Sequence, residues 1–276
     1  MTKQISFEFF PPQTLEGMEK LRKTWEALES LNPTYFSVTF GAGGSTRDRT
    51  LETVLQIQRS GLSAAPHLSC IGATRDSLGN MLEDYRSAGV SRIVALRGDL
   101  PSGFVAPGEF RHASELIQFI RHETGDFFHL VVAGYPEVHP ESKSNRDDIE
   151  NFVRKVEAGA DSVITQYFYN VDAYIQFVDQ VRSRGVHIPI VPGIMPISNF
   201  EKIVRFSDAC GAELPRWMRK RFDDFENDAE SVKAYGLDLV SDLCRRLLES
   251  GAPGLHFYTL NQSPLVAEIC RRIGVA

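Results

Sequence analysis

No stretch of about 18 consecutive apolar residues occurs in the 276-residue sequence, which excludes an ordinary membrane-spanning helix. The opening residues, MTKQISFEFF, lack both the continuous apolar core and the small-residue cleavage site of a secretory leader, so the expected location is the cytoplasm. Cysteine is scarce. Cys70, Cys210, Cys244 and Cys270 are far apart and form no C-x-x-C pair, which argues against a disulfide framework and a zinc site and leaves buried free thiols. No metal is expected. An excess of positive charge is also missing: the net charge of -6 speaks against a general nucleic-acid binder. The local basic run RWMRKRF, from Arg216 to Phe222, is followed by the offsetting DDFENDAE and reads as a solvated helix face.

What is present is a regular alternation of short β-rich runs with segments of helical spacing. The predicted strands are Gln4–Phe9, Tyr35–Phe40, Ala64–Ser69, Arg92–Arg97, His129–Gly134, Ser162–Phe168, Ile188–Gly193 and Gly254–Thr259. Between them, segments such as LEGMEKLRKTWEALESL and SNRDDIENFVRKVEAGA return apolar residues every three or four positions. Eight strand–helix units fit either a (β/α)₈ TIM barrel or an open doubly wound sheet. No G-x-G-x-x-G follows an early strand, since GAGGS at Gly41 to Ser45 is only a glycine-rich turn. Polar residues gather at the end of nearly every strand. These features favour the closed barrel, as one domain spanning 1–276, with its site at the C-terminal strand ends.

Period-two alternation sends Ile5, Phe7 and Phe9 toward the helices and Ser6 and Glu8 into the barrel mouth. A carboxyl aimed into a partly apolar mouth is expected to have a raised pKa, as suits a general acid; the bland alternative pairs it with an arginine across the barrel. In VALRGDLPSG, Arg97 and Asp99 share the inward phase and Gly98 allows a ligand close to the backbone, although Arg97 and Asp99 could simply pair to close a loop. Thr39 and Gln166 are polar inward tips. His67 is either a satisfied core histidine or a ligand contact, and His256 has the weaker claim to function. The segment Tyr135 to Ser142 supplies aromatic, acid and imidazole, held as a rigid loop by Pro136 and Pro140.

Several chemistries drop out. The first strand lacks the paired histidines of metal-dependent hydrolase barrels, no lysine closes a strand as Schiff-base enzymes need, and no G-x-S-x-G elbow occurs. What remains is a broad mouth of acid, amide, imidazole and hydroxyl among glycines and aromatics, suited to flat rings and a cofactor that performs the hard step.

The blocks SFEFFPP, GAGGSTRDRT, APHLSC, VALRGDLP, YPEVHPE, DSVITQYFYN, VPGIMPISNF and GLHFYTLN occur in an order that closely resembles the bacterial methylenetetrahydrofolate reductases, essentially from end to end. The resemblance implies an FAD-dependent oxidoreductase that reduces methylenetetrahydrofolate for methionine synthesis, by ping-pong exchange with NADH or NADPH. It implies that Glu8 protonates N10 of the folate, opening the five-membered ring to an iminium that accepts hydride. Asp99 is implied to support that positive charge, and Gln166 and Phe206 to contact the substrates. For FAD it implicates Thr39, Phe40, Ala42, His67, Arg97, Gly98, Asp99, Tyr135, His139, Asp148, Arg154 and Lys155. A homo-oligomer, dimer or tetramer, is implied as well, with no nucleic acid or membrane partner.

Phe40 stands where some relatives carry tyrosine, and Gln262 where others carry arginine, which puts a contact with the folate tail there in doubt. The sequence runs to Ala276, and no regulatory domain responsive to S-adenosylmethionine is expected. The rival readings are another flavin barrel, of the proline dehydrogenase kind, and a non-catalytic flavin or folate carrier.

Overall fold

A computed structural model describes residues 3–40, 44–98, 108–226 and 228–275. Eight parallel strands close in sequence order into a barrel: β1 (Gln4–Phe9), β2 (Tyr35–Val38), β3 (Ala64–Ser69), β4 (Arg92–Leu96), β5 (His129–Gly134), β6 (Ser162–Tyr167), β7 (Ile190–Ile194) and β8 (Gly254–Tyr258). The surrounding helices are α1 (Leu15–Glu29), α2 (Gly44–Arg59), α3 (Arg75–Ser87), α4 (Ala113–Thr124), α5 (Asn145–Glu157), α6 (Val171–Arg182), α7 (Phe200–Cys210), α8 (Arg216–Asp223), α9 (Ala229–Glu249) and α10 (Pro264–Arg272). This is the (β/α)₈ architecture expected from the alternation.

Local chemistry starts the helices where the sequence provides caps. The Thr14 hydroxyl accepts from Gly17 N, Thr74 and Ser77 form a reciprocal capping box, and Ser144 accepts from Asp147 N. Side chains then sort by phase. Ile5, Phe7 and Phe9 pack outward with Leu21, Trp25 and Leu28 of α1, and the Phe7 ring lies 5.7 Å from Phe36 and 5.9 Å from Phe257. A smaller apolar cluster of Tyr35, Ala65, Val94, Val131 and Ile164 fills the barrel interior. Phe10, by contrast, is 46% exposed, so only two of the three phenylalanines around Glu8 are buried.

Strand limits differ from the alternation in places. β2, β4, β6 and β8 end one or two residues early, and β7 starts after Pro189, which has no N–H for the ladder. β6 and β7 shift register between Ile164 and Tyr167, where the Thr165 hydroxyl accepts from Gly193 N at 2.9 Å in place of a backbone partner. The basic run falls on α8, which buries Met218 and Phe222 and pairs Lys220 and Arg221 with Asp223 and Asp224 at the surface. All four cysteines are free, with Cys70, Cys244 and Cys270 buried. Among the described residues, no helix is long and apolar enough to cross a membrane.

Closure depends on β1 meeting β8, where Gln4 pairs with Gly254 and Glu8 with Tyr258. A Cβ at Gly254 would lie 2.0 Å from the Gln4 carbonyl oxygen, whereas one at Gly79, within α3, would meet nothing within 4 Å. Gly254→Ala is therefore expected to cost at least about 2 kcal/mol by forcing the seam apart. Gly79→Ala should stabilise by roughly 0.5–1 kcal/mol through helix propensity. Urea midpoints of the two variants check the contrast, and equal midpoints would contradict it.

Candidate active site

Strand β1 places Ser6 and Glu8 on the inner face, and the parallel register sets Ser6 level with Tyr35 and His256, with Glu8 nearer the C-terminal mouth. Glu8 Oε2 lies 3.3 Å from Nε2 of both His67, on β3, and His256, on β8. Little water reaches them: Glu8 is 9% exposed, His67 7% and His256 0%. The His256 ring is fixed on its other side, Nδ1 lying 2.7 Å from the Ser6 hydroxyl. Its Nε2 is aligned for a hydrogen bond with Glu8, while His67 Nε2, equally near, is less well aligned. The set is no metal cage, since both imidazoles approach the carboxylate oxygen itself; no metal-holding group occurs among the described residues.

This environment reverses the expected titration. Burial raises the pKa of Glu8, but the charges and hydrogen bonds of His67 and His256, the charge of His67 foremost, together outweigh it and pull the carboxyl down to about 2. The mouth is more polar than the aromatic flanks imply, and the partners are two imidazoles instead of an arginine. For His256, burial lowers the pKa against the opposing pull of Glu8. His67 thus proves to be a neighbour of the acid. His256, given the weaker claim from the sequence, sits at the centre of the network; the same inward phase that selected Ser6 and Glu8 in β1 also selects it in GLHFY.

A cleft of about 1040 Å³ opens at the C-terminal ends of β3, β4 and β5, lined in part by Phe40, Ser69, Arg97, Gly98, Tyr135 and Lys155; Ser69 lies two residues beyond His67 on β3. His139, Asp148 and Arg154 line it too. Gly98 adopts φ +86°, and a Cβ there would fall 1.8 Å from the Ser69 hydroxyl, so the chain turns flush against β3. Arg97 makes a bidentate ion pair with Glu141, at 2.6 and 3.0 Å, an anion the sequence reading did not single out. Lys155 donates to the Ala133 carbonyl at 2.6 Å, and burial lowers its pKa to about 8. Asp148 ties the rigid loop to α5, accepting from His139 N at 3.1 Å and from the Ser142 hydroxyl at 3.0 Å. The Tyr135 and His139 rings meet edge to face at 4.4 Å.

Other expected residues stand apart from the cleft lining. Thr39 is half-buried just past β2, its carbonyl accepting from the Thr50 hydroxyl at 2.8 Å. Gln166 is half-buried on β6, its side-chain oxygen accepting from Tyr167 N at 3.0 Å. Phe206 is 41% exposed on α7. Asp99 and Ala42 lie outside the described residues.

The acid of the rigid loop, Glu137, accepts a hydrogen bond from Glu213 N at 2.7 Å. Burial raises its pKa to about 7; the Glu213 N–H works against that rise and the Glu213 charge adds to it. Between about 4.5, the unfolded value, and about 7 the folded chain binds more protons here, so this group's contribution to stability falls as pH rises through that window. Glu137→Gln keeps an acceptor for the N–H without the charge. The variant should match the wild type in thermal midpoint near pH 4.5 and exceed it increasingly toward pH 7.5; a difference independent of pH would contradict this.

The chain was also compared with known proteins. The family model for methylenetetrahydrofolate reductase matches residues 1–274. The 5,10-methylenetetrahydrofolate reductases of Salmonella typhimurium and Escherichia coli are each 44% identical to the chain over 272 residues, covering 98% of it and 90% of the relative. A solved Clostridium thermocellum protein, described as binding two copies of 5-methyl-5,6,7,8-tetrahydrofolic acid, superposes with a TM-score of 0.70 at 19% identity. It covers 99% of this chain and 94% of its own, and supports the barrel fold alone. The buried acid at the mouth, the cation-lined cleft at the strand ends and a family match across nearly the whole sequence agree: the chain belongs to the methylenetetrahydrofolate reductase family.

Proposed function

We propose that this protein reduces 5,10-methylenetetrahydrofolate to 5-methyltetrahydrofolate, with NADH or NADPH as donor and FAD as carrier in a ping-pong cycle, supplying methyl groups for methionine synthesis. The observation that carries the reading is the position of Glu8: a buried carboxyl facing the mouth of a barrel whose β3, β4 and β5 end in a cleft large enough for a dinucleotide. The cleft residues suit FAD. Arg97, Arg154 and Lys155 offer cations for a pyrophosphate, the flush turn at Gly98 admits a ring close to the backbone, and Tyr135 and His139 present aromatic edges. When bound, FAD supplies the hydride relay between nicotinamide and folate.

The chain's own contribution is to hold the folate and to manage one proton. Glu8 is the general acid, directed at N10 of the bridged folate. As a carboxylate held by two imidazoles it must first take up a proton. A flat ligand closing over the mouth strengthens burial, the one effect that raises its pKa. Gln166, on the inner face of β6, is assigned to hold the substrate, and Phe206 to cover its ring. Asp99 is assigned, by its charge, to stabilise the positive charge that develops when the folate ring opens.

Two half-reactions allow a direct test. Glu8→Gln should leave bleaching of the flavin by NADH within a few-fold of wild type while lowering the rate of its reoxidation by methylenetetrahydrofolate by at least about 10²-fold, the usual scale of general acid catalysis. Stopped-flow absorbance at the flavin band separates them. Equal loss of both would remove Glu8 from the proton-donor role.

A further inference from the structure

The acid at the mouth does not stand alone on β1. Two residues below it, Ser6 directs its hydroxyl to His256 Nδ1 at 2.7 Å, and His256 Nε2 faces Glu8 Oε2 at 3.3 Å. An ionised carboxylate only accepts, so Nε2 must carry the hydrogen, which leaves Nδ1 to accept from the Ser6 O–H. The result is a fixed tautomer: Ser6, His256 and Glu8 form one directed chain inside a barrel that water barely enters.

We propose that Ser6 and His256 act as a positioning pair that sets the pH at which Glu8 can give up its proton, by holding a permanent Nε2–H donor against its carboxylate. The inference rests on the reading of Glu8 as the proton donor. A donor aimed at the charged form favours that form, making Glu8 a stronger acid and one that is loaded only at lower pH. The other titratable groups facing Glu8 are His67 from β3, Tyr35 from β2 and Tyr258 from β8. His67 is as near and its charge also favours the carboxylate, but its Nε2 is less well aligned than that of His256; both phenols are buried with raised pKa values, so neither supplies charge at neutral pH. Of the two imidazoles near this carboxyl, His256 is the better aligned donor. The packing gives the ring little freedom to leave: it stacks on Tyr35 at 6.2 Å and meets Tyr258 edge to face at 5.3 Å.

The test uses the purified protein with its glutamate carboxyls labelled with carbon-13, the Glu8 signal being assigned by its loss in Glu8→Gln. His256→Phe removes the donor while filling the space, and should raise the titration midpoint of Glu8 by about one pH unit or more. Ser6→Ala frees the tautomer and should move the midpoint the same way by less. His256→Gln returns an N–H near the Nε2 position and should bring it back toward wild type. The high-pH limb of the folate half-reaction should shift upward by the same amounts, which a purely structural role for His256 would not produce. A Glu8 midpoint unmoved in Ser6→Ala and His256→Phe overturns the proposal. Absence of folate reduction in the wild-type protein would instead defeat the functional reading, while the carboxyl titration would still decide whether the pair tunes Glu8.

Discussion

The hydrogen bond between His256 and Glu8 is the contact on which the candidate site turns. A carboxylate removed from water inside a barrel would cost several kcal/mol if left unpaired. Here two imidazoles from β3 and β8 converge on one of its oxygens, and a serine from its own strand holds one of those rings in place. The barrel therefore keeps a charged acid at its mouth instead of excluding it, and the neighbours rather than the phenylalanines decide its protonation.

That contact exists only because the barrel closes in a particular register. β8 returns to pair with β1, bringing His256 opposite Ser6 and Tyr258 opposite Glu8. Gly254 permits the approach at the start of the seam, and Gly193 permits another: a Cβ there would lie 2.1 Å from the Thr165 carbonyl oxygen and 2.7 Å from the Tyr258 ring. The Tyr258 hydroxyl donates to that same carbonyl at 2.8 Å, tying β8 to β6 across β7. Outward, Phe7 and Phe9 anchor β1 to α1, so the strand bearing the acid is fixed from both sides. The cleft is assembled separately, from the ends of β3, β4 and β5 and from α5 along most of its length, and its cations are held by Glu141, Asn151 and the Ala133 carbonyl.

Much of this was legible in the sequence because alternation of period two is a geometric rule. It placed Phe7 outside and Glu8 inside, and six of the eight strands keep both limits to within one residue. It also contained His256, which was undervalued because an isolated histidine on an apolar strand has no sequence signature; only closure of β8 onto β1 reveals its partners. The lowered pKa of Glu8 was out of reach for the same reason, since it comes from residues roughly 60 and 250 positions away and pairwise electrostatics depend on distance in space. Glu141 was missed as the partner of Arg97, because the ion pair spans two loops with no common period. The family blocks carried the functional assignment further than the pattern could, and the structure adds how the acid is held.

The most direct measurement is the visible absorbance of the purified protein under anaerobic conditions, before and after NADH and again after methylenetetrahydrofolate. The account predicts a yellow flavin spectrum that bleaches with the nicotinamide and returns with the folate. A colourless protein, or a flavin that bleaches and is not reoxidised by the folate, would contradict it.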